Sequence, residues 1–291
     1  MTTDDLFDPA LAIEAPMEQR LPLVFASPHS GRTYPPAFLA ASALDARTLR
    51  RSEDSFVDEL FAAAPAKGAP LLKALFPRAY LDPNREPYEL DPTMFDQPLP
   101  AFVSTDTPRV SAGLGTIARL VSSGAEIYRH KLSFAEAERR IAGLYRPYHR
   151  ALTGLLDATM QRFGFCVLVD CHSMPSIGGP NDTDSGAARV DFVLGDCFSS
   201  SCAAVVTNTA ERTLRKFGYR VVRNSPYAGG YTTRHYGKPD EGRHVLQVEI
   251  NRRLYMEEDS HQKTVGFPRL QRQIADLVDA LAAVPASELS R

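Results

Sequence analysis

Phe165-Cys166-Val167-Leu168-Val169-Asp170-Cys171-His172-Ser173 is the stretch on which the reading of this chain turns. Five apolar residues run together and then give way abruptly to titratable ones. A short apolar run bounded in this way predicts a buried strand over residues 165–169. Two other runs are built alike. Residues 21–26 lead into Ser27-Pro28-His29-Ser30-Gly31, and residues 245–250 contain Glu249 and lead into Asn251 and Arg252. Residues 190–194 are a fourth candidate strand, and residues 71–76 followed by 79–81 supply another.

Helical patterns fall between these runs. Residues 55–64 place Phe56, Val57, Leu60 and Phe61 on one face. Ser133 and Glu136 have the spacing of a capping box, and the apolar period continues towards Phe163. Pro147 should kink or divide that segment and Gly164 should end it. Residues 202–217, followed by Gly218, and residues 270–284 read as further helices. Strands alternating with helices predict the α/β class, with a central, mainly parallel mixed sheet flanked by helices. No linker is visible, so residues 1–291 are expected to form a single domain, with a core from about 20 to 285. The proline-rich stretch 86–110 reads as a long surface excursion of the kind that often covers a site.

Composition narrows the function. A formal charge of −2 over 291 residues supplies no basic field for nucleic acid or an anionic membrane, and suits a small polar substrate. The start of the chain is acidic, unlike a signal peptide. No apolar run reaches the ~18–20 residues of a membrane span. Cys166, Cys171, Cys197 and Cys202 contain no Cys-x-x-Cys pair, so a cytoplasmic location with reduced thiols is expected.

In open parallel sheets, ligands bind beyond the carboxyl ends of the strands. His29 and His172 each lie just past a predicted strand, so they could meet at one site. Two histidines with a carboxylate suit a metal such as zinc, which in catalytic sites keeps a position open for water. Glu53 and Asp54 are candidates for that carboxylate, although acids at the start of a helix also complement its dipole. Asp170 competes as a ligand or as the orienter of a ligand histidine. Glu249, inside an apolar run, is either the partner of a buried arginine or a general base. Arg85 and Arg234, each beside other hydrogen-bonding residues, could hold two substrate carboxylates.

Other chemistries fit less well. Gly113-Leu114-Gly115-Thr116-Ile117-Ala118 matches a loose dinucleotide fingerprint but follows no strand. Cys171 and His172 are adjacent in a predicted strand, so they face opposite ways and form no catalytic dyad. The residues after His172 lack the further aspartates of a dimetal ureohydrolase.

Seven segments, in order, resemble the N-formylglutamate amidohydrolases, distant relatives of the zinc carboxypeptidases. They are SPHSG at 27–31, EDSFVDELF at 53–61, RAYLDPNR at 78–85, GLGTIAR at 113–119, VDCHSMPS at 169–176, GGYTTRHYGKP at 229–239 and HVLQVEINRRLYM at 244–256. The resemblance implies a hydrolase fold of the zinc carboxypeptidase type and one divalent metal, Zn2+, held by His29, His172 and a carboxylate. It favours Asp54 for that carboxylate, with Glu53 as the alternative. It implies Glu249 as general base, Asn84 and Arg85 as a carboxylate-recognition pair with Arg85 also steadying the oxyanion, and Tyr231, Arg234 and His235 as further substrate contacts. The implied reaction is hydrolysis of N-formyl-L-glutamate to formate and L-glutamate, in histidine breakdown. Another N-acylamino acid, or a peptide with a free carboxyl end, would use the same chemistry. A non-catalytic binder of acidic ligands is the remaining reading.

Overall fold

A computed structural model describes residues 7–180 and 182–290; the acidic start noted above lies outside them up to residue 6. Seven strands form one sheet: β1 (Leu11–Glu14), β2 (Leu23–Ser27), β3 (Leu71–Ala74), β4 (Cys166–Met174), β5 (Phe192–Gly195), β6 (Val221–Arg223) and β7 (Arg243–Asn251). Their order is β1-β3-β2-β4-β7-β5-β6. β3, β2, β4 and β7 run parallel, as do β5 and β6. β1 on β3 and β5 on β7 are antiparallel. The sheet is therefore mixed and mainly parallel, as the alternation of elements predicts.

Helices cover both faces. In β4, Val167, Val169 and Cys171 point into one core, which holds Val206, Ala210 and Leu214 of the helix Ala204–Lys216 and Leu270, Ile274 and Leu277 of the helix Phe267–Ala282. Cys166 and Leu168 point into the other, under Tyr148, Leu152 and Leu156 of the helix Arg146–Phe163. This period of two is what a strand buried on both faces requires. Cys171 thus lies on the face opposite His172, and all four cysteines are free thiols. No helix among the described residues is long and apolar enough to cross a membrane.

Local punctuation mostly follows the sequence. The Ser133 side chain accepts the Glu136 N–H at 3.2 Å. The long helix behind it is divided, as expected near Pro147, by a wide π-type turn over Ile141–Tyr145. A proline lacks the N–H for an internal helical bond and crowds the preceding turn, and the wider turn accommodates both. Gly164 ends the helix at φ +79°.

Three expectations are corrected. Residues 55–64 hold only the short helix Val57–Leu60 before a new one begins at Ala64. Phe56 before it is left-handed (φ 65°), and the Asp58 N–H is taken by the Ser30 hydroxyl at 3.2 Å. Residues 79–81 are buried but not a strand, because Pro77 starts a turn closed by Tyr80 N–H to Pro77 O at 2.9 Å. The stretch 86–110 is more than a surface excursion. Leu90, Met94, Phe95 and Val103 join Ile117 and Ala137 in a core of their own. Their spacing is too irregular to register as a periodic pattern.

Candidate active site

β4 and β7 pair in a register that sets Asp170 beside Gln247 and His172 beside Glu249. Residues two apart in a strand share a face, so these four side chains emerge on one side of the sheet. Closer to the strands' amino ends, that same face carries the apolar Leu168 and Val245. It turns polar at the carboxyl ends, where open α/β sheets bind ligands.

β2 delivers His29 from the neighbouring position. Its loop passes so close to the chain just beyond β3 that a Cβ on Gly31 would stand 2.0 Å from the Phe76 carbonyl oxygen. Only glycine permits that approach. The loop carrying Asp54 is tied to it by Asp54 N–H to His29 O at 3.0 Å and by the Ser30 hydroxyl to Asp54 O at 3.0 Å.

The histidines converge on one oxygen. His29 Nδ1 is 3.3 Å and His172 Nδ1 3.1 Å from Asp54 Oδ2. Each ring is held from behind by its other nitrogen, His29 Nε2 on Asp82 Oδ1 at 2.7 Å and His172 Nε2 on Asp170 Oδ2 at 3.0 Å. Carboxylates placed so fix the tautomer that leaves the Nδ1 lone pairs facing inwards. All three converging residues are buried, and His29 Nδ1 has no hydrogen-bond partner. His29, Asp54 and His172, with ligand atoms within 4.8 Å of one another, form a group that could hold a metal ion. Glu53 is not brought there. Its carboxylate receives Arg50 Nε at 3.0 Å and the Ser55 hydroxyl at 2.7 Å.

The electrostatics suit a cation. Burial alone would raise the Asp54 carboxyl, but the neighbouring imidazoles of His172 and His29 and the charge of Arg252 hold it well below the usual range. Asp82 is likewise held down, against burial, by Arg85, His29 and Arg78. Glu249 behaves differently. Burial, reinforced by the charges of Asp54 and Asp170, pushes it up to about 7 although His172 and Arg78 pull it down.

A cavity opens over this group, lined by His29, His172, Glu249, Asn84 and the guanidinium-bearing side chains of Arg78, Arg85, Arg109 and Arg252. Asn84 is tightly placed, its amide donating to Asp170 Oδ2 at 3.3 Å and accepting the Thr232 N–H at 2.8 Å. Burial lowers Arg85 to about 10, still a cation at neutral pH. Tyr231, Arg234 and His235 are not among the cavity's lining residues. Tyr231 and His235 stack at 4.8 Å and line a separate surface pocket, and the exposed Arg234 donates to Gly229 O at 3.1 Å. Their helix, Tyr231–Tyr236, begins one residue beyond the Gly229-Gly230 backbone that does reach the cavity.

A model of the family described as N-formylglutamate amidohydrolase matches residues 21–256. The chain belongs to the N-formylglutamate amidohydrolase family. It is 31% identical to the N-formylglutamate deformylase of Pseudomonas aeruginosa, over 91% of this chain and 90% of that one. Against the N-formylglutamate deformylase of Pseudomonas putida it is 30% identical, over 94% and 96%. The crystal structure of N-formylglutamate amidohydrolase from Ralstonia eutropha JMP134 superposes with a TM-score of 0.86 at 39% identity, covering 94% of this chain and 97% of that one. Membership makes the protein an amidohydrolase.

Several residues that line or brace the cavity are not singled out by sequence reading. Arg78 and Asp82 lie in the same RAYLDPNR segment as Asn84 and Arg85, and Arg78 Nε reaches Asp82 Oδ2 at 3.0 Å. Gln247 donates from Nε2 to Glu249 Oε1 at 2.8 Å and accepts the Gly230 N–H at 2.8 Å. Its signal was available: it is the polar residue two before Glu249 in an apolar strand. Arg109 carried no such signal.

Proposed function

We propose that this protein hydrolyses N-formyl-L-glutamate to formate and L-glutamate, acting as one catalytic domain with a single divalent ion, zinc. The convergence of His29 Nδ1, His172 Nδ1 and Asp54 Oδ2 beside Glu249 carries the reading. Two imidazoles and one carboxylate are a catalytic zinc donor set. When bound, the ion polarises the formyl carbonyl and acidifies a water.

The chain's own groups do the rest. Glu249 takes a proton from the attacking water as the new C–O bond forms at the formyl carbon. Its partner Gln247 holds the carboxylate at a fixed angle. Arg85 and the Asn84 segment hold the α-carboxylate, and Arg85 steadies the developing oxyanion. Glu249 returns the proton to the amide nitrogen as the C–N bond breaks, which balances the hydrolysis. Tyr231, Arg234 and His235 have no part in this scheme.

Metal content and N-formylglutamate hydrolysis measured on one preparation, before and after chelation, test the proposal. Activity should fall with the metal and return when zinc is added back. Bound metal without N-formylglutamate turnover would move the substrate to another N-acylamino acid. Undiminished turnover after complete metal removal would end the metal reading.

Asp170→Asn should keep the shape of the site and weaken zinc binding about 10–100-fold, the usual effect of losing a carboxylate behind a ligand histidine. Competition with a chromogenic chelator reads this directly. Wild-type affinity in the variant would show that Asp170 does not support the metal.

A further inference from the structure

Four arginines line the cavity, and three of them have protein partners, Arg85 through two of its five N–H groups. Arg78 bonds Asp82. Arg252 bonds Asp54 Oδ1 at 3.0 Å and the Ser173 hydroxyl at 3.2 Å. Arg85 donates to Leu114 O and Asn84 O and lies 3.5 Å from Asp82. Arg109 has no side-chain hydrogen bond or ion pair within the described residues, and it is exposed at the cavity. Asp182, a carboxylate at the same cavity, is taken by Arg189 at 2.6 Å.

Arg109 also sits where like charge gathers. It is near enough to Arg85 to add to the burial that lowers that guanidinium. Its backbone is anchored on both sides. Thr107 caps the short helix Pro108–Ser111 and donates to buried Glu89. Val110 is buried. The Leu114 N–H bonds Arg109 O at 2.8 Å, while Leu114 O receives Arg85 Nε at 2.8 Å. One turn thus connects a buried arginine to an exposed one. Two cations held together with an unmatched charge facing a cavity are complementary to an anion.

Resting on the amidohydrolase reading above, we propose that Arg109 is the specificity-determining residue that binds the side-chain carboxylate of the substrate. Arg85 lies deep, beside Asp82 and Asn84, and suits the α-carboxylate close to the scissile amide. Arg109 lies further out and suits an acid at the end of a short side chain. The stretch 86–110, with its private core, is then the scaffold that brings this guanidinium to the cavity mouth.

The test compares kcat/KM for N-formylglutamate and N-formylglutamine in wild type, Arg109→Met and Arg109→Lys. Wild type should prefer the acid, and Arg109→Met should cut that preference about 10–100-fold, the span of one charge-assisted hydrogen-bond pair. Arg109→Lys, keeping the charge without the fork, should fall between. A preference unchanged in Arg109→Met overturns the assignment. Calorimetric binding of glutarate against its monoamide, which keeps only one carboxylate, to the same proteins separates the two ideas. If wild type does not hydrolyse N-formylglutamate, yet prefers glutarate and loses the preference in Arg109→Met, the reaction reading fails and the Arg109 assignment stands. If the preference for the acid is independent of Arg109 in both assays, the assignment is overturned.

Discussion

Glu249→Gln should lower kcat by roughly 10²–10⁴, the span of general acid–base catalysis, while zinc content stays at the wild-type level. The substitution is nearly isosteric. A glutamine side-chain oxygen can still accept the Gln247 amide that bonds Glu249 Oε1 at 2.8 Å, so the local geometry should survive. What is lost is the group that, in the proposed mechanism, accepts a proton from water and returns it to the leaving nitrogen. KM should change little, because the arginines proposed to hold the substrate are untouched. Metal analysis and steady-state kinetics on one preparation check both halves. A folded, zinc-loaded variant within about threefold of wild type would remove Glu249 from the chemistry, as an order-of-magnitude criterion well below that span.

The second large effect separates two adjacent acids. Asp54→Asn should leave the purified protein without zinc and without measurable turnover, whereas Glu53→Gln should keep the metal. Asp54 faces both Nδ1 atoms and pairs with Arg252 at 3.0 Å. Glu53, equally buried, faces Arg50, Ser55 and Tyr34. Asp54→Asn should also lower thermal stability, since breaking a buried ion pair by removing one partner typically costs about 3–5 kcal/mol. Glu53→Gln loses a pair whose arginine is only partly buried, so its cost should be smaller. Metal retained in the first variant and lost in the second would transfer the ligand role to Glu53.

The two acids show how far sequence reading reached. The pair was visible as the start of an apolar, helix-like segment, but side chains of adjacent residues there diverge. Which one meets the histidines is set by contacts across the fold: Asp54 is tied to the His29 loop, and Glu53 is held by Arg50 and Ser55. Helix-period spacing at residues 55–64 gives no hint of either, because Val57, Leu60 and Phe61 are apolar to meet burial, which a broken segment satisfies as well as a continuous helix.

Strong local signals were the ones read correctly. Three apolar runs ending in titratable residues gave β2, β4 and β7, and with the helices between them the mainly parallel sheet. A run buried on both faces needs no partner to be recognised, because burial of a strand demands apolar residues at every position. His29, His172 and Glu249 were legible for the same reason: each interrupts or ends such a run, where an unpaired polar group is costly. The three-dimensional arrangement decided what spacing along the chain cannot. The register of β4 on β7 set His172 beside Glu249, Asp82 and Asp170 closed in behind the two rings, and Tyr231, Arg234 and His235 fell outside the cavity while Arg109 came to it. These are contacts between residues far apart in sequence, fixed by how strands pair and loops pack, and no local pattern of residue types records them.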